Sequence, residues 1–320
     1  MAEVLLEAQE LSCHFRLAGP WGRGPLLKAV DRVTFTLNAG ETLGLVGESG
    51  CGKSTLARLL LALLPPTQGR VYFDGEELTG MGRARLKNLR RQVQIIFQDP
   101  YSSLNPRMTV ERLLEEPFVI HGLGTRAERR EWVVELLAEV GLGEEHLERY
   151  PHEFSGGQRQ RLGIARALAL KPRLMVADEP VSALDVSIQA QILNLLTHLQ
   201  SRHGLTYLFI SHDLSVISQV SGRIAVMYLG RLMEMAPREV FAGARLHPYT
   251  EALLAAVPLP DPERPFQPPV LKGEPPSPIN VPSGCPFHPR CPEAQIPLCR
   301  DVVPEFRETA PGHWVACHFR

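Results

Sequence analysis

Apolar and polar side chains alternate over residues 33–37, with Val33, Phe35 and Leu37 set against Thr34 and Thr36. That is the period-two pattern of a strand with one buried face. Residues 41–46 predict a second strand, ending at a glycine-rich turn. Residues 55–64 predict an apolar helix stopped by Pro65 and Pro66. Residues 70–73 and 93–97 are short β-rich runs, and residues 108–169 carry a mostly helical pattern with several Glu/Arg pairs. Residues 174–177, 207–210 and 224–228 are short unbroken apolar runs, as expected of parallel strands buried on both faces. Ile188, Ile192, Leu195, Leu196 and Leu199 recur at helical spacing between two of these runs. Strands separated by helices predict βαβ units and a mainly parallel sheet, an α/β fold. The helical stretch at about residues 99–171 is then an inserted subdomain.

This pattern stops near residue 257. Of 28 prolines, 17 fall in residues 248–320, and four of the six cysteines fall in the last 36 residues. The expected division is an α/β domain over residues 1–257 and a small Pro/Cys-rich module over residues 258–320. Hydrophobic residues make up 44% of the 320 positions and charged residues 22%, which excludes wholesale disorder. Lys and Arg number 34 against 35 Asp and Glu, so a chain-wide basic surface for nucleic acid is not expected. No apolar run approaches the roughly 18 residues of a membrane span. The first residues carry Glu3 and Glu7 where a secretory signal would be basic and then apolar. A cytosolic protein is expected, or one held at a membrane by a partner.

The chemistry starts at Gly47, Glu48, Ser49, Gly50, Cys51, Gly52, Lys53 and Ser54, which fit G-x-x-x-x-G-K-[ST] between a strand and a helix. The glycines permit a tight loop whose amides point at phosphate oxygens, and the following helix adds the positive end of its dipole. Lys53 would neutralise the β- and γ-phosphates of ATP. Ser54 would place its hydroxyl on Mg²⁺, with Thr55 beside it. A second element is the apolar strand that ends in Asp178 and Glu179. Asp178 is placed to hold Mg²⁺ through water, and Glu179 to polarise an attacking water. A third is Ser155, Gly156, Gly157 and Gln158, ahead of a helix-forming run. Ser155 can cap that helix, and the glycines let its amides approach an anion. One ATP rarely needs two phosphate cradles in one chain, so this loop is expected to close on the ATP of a second copy or homologue.

Taken together and in this order, these motifs resemble the ATP-binding subunit of an ABC (ATP-binding cassette) transporter. The likeness covers nearly the whole chain. It includes Gln98 of Ile-Ile-Phe-Gln-Asp-Pro, the signature from Phe154 to Gln158, Asp185 of Ser-Ala-Leu-Asp, and His212 of Ile-Ser-His-Asp. The signature opens with Phe154 where the family usually has Leu, apolar in both cases. The resemblance implies that Phe15 stacks on adenine and that Gln98 contacts Mg²⁺ and the attacking water. It implies that His212 meets the γ-phosphate and holds Glu179 and the partner's Asp185 in register. It implies ATP hydrolysis, with two ATP molecules clamped between two such subunits whose opening and closing drives a membrane channel.

Three stretches resemble the oligopeptide and dipeptide importer branch, closest to its second ATPase subunit: residues 98–106, 182–190 and 247–253. Residues 277–280 and 283–291 continue the likeness. The resemblance implies a second ATPase subunit, as a heterodimer or a homodimer, and two transmembrane permease subunits. It implies an extracytoplasmic peptide-binding protein, no nucleic acid, and a peripheral place on the cytoplasmic face of the cell membrane. Nickel or another small solute is the alternative cargo, since the same branch includes such transporters. A soluble, non-transport ABC ATPase or a subunit with a dead ATP site is the alternative outside transport. The single cradle and the complete set Lys53, Asp178, Glu179 and His212 argue against both.

Cys285, Cys291, Cys299 and Cys317 are separated by five, seven and seventeen residues. Disulfides would need an oxidising compartment. Zinc would use four thiolates, or thiolates with His288, His313 or His318, but the usual C-x₂₋₄-C pairs are missing. An iron–sulfur cluster takes four thiolates and tolerates long spacings; free thiols remain a further reading. The importer resemblance implies a [4Fe–4S] cluster. A metal is expected to staple a module with too little apolar material to fold alone. Cys51 reads as a small spacer in the loop, open to oxidation, and Cys13 as a buried strand residue.

Overall fold

The protein was analysed as a computed structural model that describes residues 3–19, 24–99, 104–243, 246–256 and 273–320. It divides into two compact units. The first comprises Met1–Asn38, Thr42–Met81 and Ile210–Arg320; the second comprises Ala39–Glu41 and Gly82–Phe209. Among the described residues no helix is long and apolar enough to cross a membrane.

The first unit opens with β1 (Val4–Arg16), β2 (Leu26–Asn38) and β3 (Thr42–Val46), then the helix Lys53–Leu60, β4 (Gln68–Phe73) and β5 (Glu76–Glu77). Strands β1 and β2 form a long antiparallel ribbon, extended to the order β2-β1-β4-β5. β1 has no simple alternation because its register slips repeatedly, once between Ala8 and Leu11, where Glu10 adopts a left-handed backbone (φ 46°). Its core residues are therefore Leu5, Leu6, Ala8, Leu11 and Cys13, an uneven spacing that hides a strand. Every residue of β3 is buried, which is why its sequence is an apolar run. The helix after it stops at Leu60, short of Pro65, because Ala62 turns left-handed (φ 50°).

The second unit holds β6 (Val93–Ile96), β7 (Leu174–Asp178) and most of β8 (Thr206–Ser211) in the order β8-β7-β6, with β6 and β7 parallel. Its helices are Arg83–Gln92, Val110–His121, Arg126–Glu139, Gly156–Leu168 and Val186–His203. The long helical stretch in the sequence is thus three helices. The first ends at left-handed Gly122, and the second starts at a reciprocal cap between Thr125 and Glu128.

The chain returns to the first unit through the helix Leu214–Val220, β9 (Arg223–Tyr228) and β10 (Arg231–Pro237), followed by the helix Pro248–Ala255. After the helix Leu298–Asp301 come β11 (Arg307–Ala310) and β12 (His313–Val315). The strand order here is β11-β12-β10-β9-β3, with β3 and β9 parallel and the others antiparallel. The cysteine-bearing segment therefore joins the sheet through β12, against the expectation of a tail with too little apolar material for a core. Phe287 and Val315 are fully buried, with Ala316 close behind. Phe287 meets Tyr228 edge-on at 5.4 Å and Tyr249 at 5.3 Å. The expected division at residue 257 lies outside the described residues.

Candidate nucleotide site

The first unit carries Phe15, the phosphate loop and His212. The loop leaves fully buried β3 at Gly47 and enters its helix at Lys53. Two of its glycines have no room for a side chain. A Cβ on Gly52 (φ 111°) would sit 2.0 Å from the Ala29 carbonyl oxygen, and one on Gly47 would sit 2.2 Å from that of Met227. Cys51 fills the inside of the turn. It is 4% exposed, its amide donates to the Glu48 carbonyl at 3.2 Å, and burial pushes its thiol pKa up. Its enclosure suits the spacer role and leaves the thiol a poor target for oxidation. Lys53 is also 4% exposed, and its ammonium donates to the carbonyls of Gly47 at 2.7 Å and Glu48 at 3.1 Å. The loop thus folds around its own lysine. Ser54 and Thr55 follow in the first helical turn. Phe15 stands on β1, 38% exposed, and His212 lies exposed between β8 and the helix Leu214–Val220.

Sequence reasoning missed what grips Glu48. Its amide donates to the Tyr249 hydroxyl at 3.0 Å, and its carboxylate takes a two-pronged bond from Arg290 at 2.8 and 3.0 Å. No local signal marks Arg290, whose partner is far upstream in the chain.

The second unit carries Gln98, the Ser155 loop, Asp178, Glu179 and Asp185. Asp178 ends β7, and Glu179 follows in a left-handed conformation (φ 49°), uncommon for a side-chain-bearing residue. Its carbonyl accepts from the Ser182 hydroxyl at 3.1 Å. Its carboxylate accepts from the Gln98 side-chain amide at 2.9 Å, so two residues far apart in sequence meet here. Residues 100–103 of the stretch after Gln98 lie outside the described residues. Ser155 caps the helix Gly156–Leu168 in a reciprocal box with Gln158. Gly157 is needed for a second reason as well. A Cβ there would lie 2.5 Å from the Ile188 side chain, in the first turn of the helix that Asp185 caps. Hydrogen bonds from Ser187 and the Ile188 amide hold Asp185 below the usual carboxylate pKa range.

Comparison with known proteins agrees with this geometry. A family described as ABC transporter matches residues 30–182, and one described as oligopeptide/dipeptide transporter, C-terminal region, matches residues 233–299. A probable peptide ABC transporter ATP-binding protein, y4tS of Sinorhizobium fredii, is 53% identical over all of this chain and 91% of its own length. The oligopeptide transport ATP-binding protein AppF of Bacillus subtilis is 52% identical over 99% of this chain and 97% of its own. The chain belongs to the ATP-binding subunits of ABC transporters. Among solved structures, the dimeric ATP-binding cassette MJ0796 bound to ADP and Pi matches with a TM-score of 0.66 at 29% identity. It covers 73% of this chain and 99% of the cassette.

As an ABC subunit the protein is an ATPase, and the oxygen donors Ser54, Gln98 and Asp178 are of the type that a hard cation such as Mg²⁺ takes. The expected [4Fe–4S] cluster is a different matter. Cys285, Cys291, Cys299 and Cys317 do line one small pocket, together with His247, His288 and His318. Yet among the described residues no group of three or more His, Cys, Asp or Glu is placed to hold a metal ion, so the cluster is not supported. Burial pushes the Cys285 thiol up to about 12 and raises Cys291 as well.

Proposed function

We propose that the chain is the ATP-hydrolysing subunit of a peptide importer, an ATPase domain over residues 1–257 joined to an importer-type extension over residues 258–320. The observation that carries this reading is the phosphate loop closed around buried Lys53, on a chain 52% identical to an oligopeptide transport ATP-binding protein. In this reading the loop amides and Lys53 hold the triphosphate, and Phe15 stacks on the adenine. Ser54, Gln98 and Asp178 would hold Mg²⁺, which supplies positive charge for the β- and γ-phosphates. Glu179 takes the proton of the attacking water, its carboxylate aimed by Gln98. His212 contacts the γ-phosphate. Ser155, Gly156, Gly157 and Gln158 close on the ATP of the partner ATPase subunit, with Asp185 beside them.

ATP then bridges two cassettes through charge-assisted hydrogen bonds, and loss of the γ-phosphate releases the bridge. The partners are a second ATPase subunit, favoured as a heterodimer, and two permease subunits, with peptide delivered by an extracytoplasmic binding protein. The site of action is the cytoplasmic face of the membrane. The decisive experiment is ATP turnover of the assembled complex in lipid discs, with binding protein that is empty, peptide-loaded or nickel-loaded. Stimulation by peptide alone is expected, and stimulation by nickel alone would move the cargo assignment.

The four thiols that line one pocket support the further reading that they take a [4Fe–4S] cluster, or zinc as the alternative. Protein isolated without oxygen is then expected to carry about four irons per chain and to be brown. Iron-free, colourless protein rejects the cluster.

A further inference from the structure

Glu48 puts a carboxylate inside a loop shaped to receive a triphosphate. The structure holds that residue at three points. Tyr249 takes its amide at 3.0 Å, Lys53 donates to its carbonyl at 3.1 Å, and Arg290 clasps both carboxylate oxygens. Arg290 is 7% exposed and lies over the Tyr228 ring, 5.9 Å from its centre, with the Tyr228 hydroxyl 3.4 Å from one prong. It is set by a single turn of backbone. The amides of Arg290 and Cys291 both donate to the carbonyl of Phe287 at 3.0 Å, and the Phe287 ring is fully buried against Tyr228 and Tyr249.

We propose that Arg290 is a positioning residue of the ATP site, which draws the Glu48 carboxylate aside and makes the C-terminal segment a working part of the phosphate loop. This rests on the ATPase reading above. Two physical effects converge on it. A freed carboxylate would stand one turn of loop away from the Lys53 ammonium and compete with phosphate for it. It would also add a like charge beside the triphosphate in a poorly solvated pocket. Paired with a buried, always-charged guanidinium, Glu48 does neither. The bidentate geometry further fixes the loop in one conformation before nucleotide arrives.

The test is equilibrium ATP binding by the full-length chain at low and high ionic strength, with turnover and thermal melting recorded beside it. Arg290→Met, which keeps the bulk, is expected to weaken ATP binding about tenfold at low salt, with a smaller loss at high salt where the repulsion is screened. Arg290→Lys keeps the charge without the fork and is expected to fall between Arg290→Met and the wild type. Removing both charges in Glu48→Gln with Arg290→Met is expected to restore affinity to within about twofold. Wild-type affinity in both single variants overturns the proposal. So does a double variant as weak as Arg290→Met, since that marks lost packing instead of a freed charge. If Arg290→Met fails to fold, Arg290→Lys and the double variant decide the matter alone. Wild-type hydrolysis is read separately. An active enzyme whose ATP affinity ignores these changes sinks only this inference, whereas an assembled wild-type complex that binds ATP without hydrolysing it sinks the ATPase reading.

Discussion

Two glycine-bearing loops in this protein each lead into a helix, and they are built in opposite ways. The Ser155 loop is self-sufficient. Its cap closes between Ser155 and Gln158, three residues apart, and its closest neighbours are Leu184 and Ile188, about thirty residues on. The phosphate loop depends on distant chain. Ala29 and Met227 crowd its glycines, and Tyr249 and Arg290 grip its second residue. On the proposed function the Ser155 loop meets ATP from a partner, for which an ordinary helix start suffices. The phosphate loop would enclose a triphosphate, and its own eight residues do not fix a strained backbone without bracing from outside.

The comparison breaks most sharply at the carboxylate that follows both loops in sequence. Glu179→Gln is expected to lower turnover by at least about 100-fold while ATP binding persists, read by phosphate release against nucleotide binding. Unchanged release would remove Glu179 from the chemistry. Gly52→Ala comes next. With a Cβ 2.0 Å from backbone oxygen and φ at 111°, it is expected to cost about 3 kcal/mol by forcing strained backbone, and to abolish ATP binding. A thermal melt and a nucleotide titration check both parts. Ser155→Ala should cost only about 1 kcal/mol, the usual value of a lost cap, with ATP binding by the isolated chain intact and turnover of the complex reduced. A loss of binding in the isolated chain would mean that the two loops are not independent.

The smallest effect is on acid stability. Burial alone would raise the pKa of Asp31, but Arg231, which donates to it at 2.6 and 2.9 Å, and nearby Lys28 and Arg32 bring it below the ordinary carboxylate value. A folded-state pKa below the unfolded one stabilises the protein above about pH 4, and the gain is lost as pH falls through the folded value. Asp31→Asn is therefore expected to flatten the acid limb of the stability curve, with denaturant melts from pH 6 to pH 3 as the measurement. An unchanged slope would show that the ion pair adds nothing.

What was legible in the chain follows the same division between local and distant. Both loops, the carboxylate strand and the buried strands β3, β7, β8 and β9 could be read because their signals lie within a few residues. β1 could not, because bulges at Glu10 and beyond break its period. β12 is three residues long, and what defines it is pairing with chain some eighty residues upstream, Val315 with Glu234 and Trp314 with Met235. The cysteine segment was misread as poor in core for a related reason. Its core is borrowed: Phe287 is covered by aromatics from β9 and the helix Pro248–Ala255. The Gln98–Glu179 contact was not foreseen: the family pattern gave each residue a role but no contact between them, and 81 residues separate the pair.

The span between Glu48 and Arg290 is 242 residues. During synthesis, the loop leaves the ribosome long before the arginine that steadies it exists. On the proposed role of Arg290, a chain cut short before residue 290 leaves the Glu48 carboxylate without that arginine and is expected to bind nucleotide poorly, so a segment made late acts as a check on a loop made early.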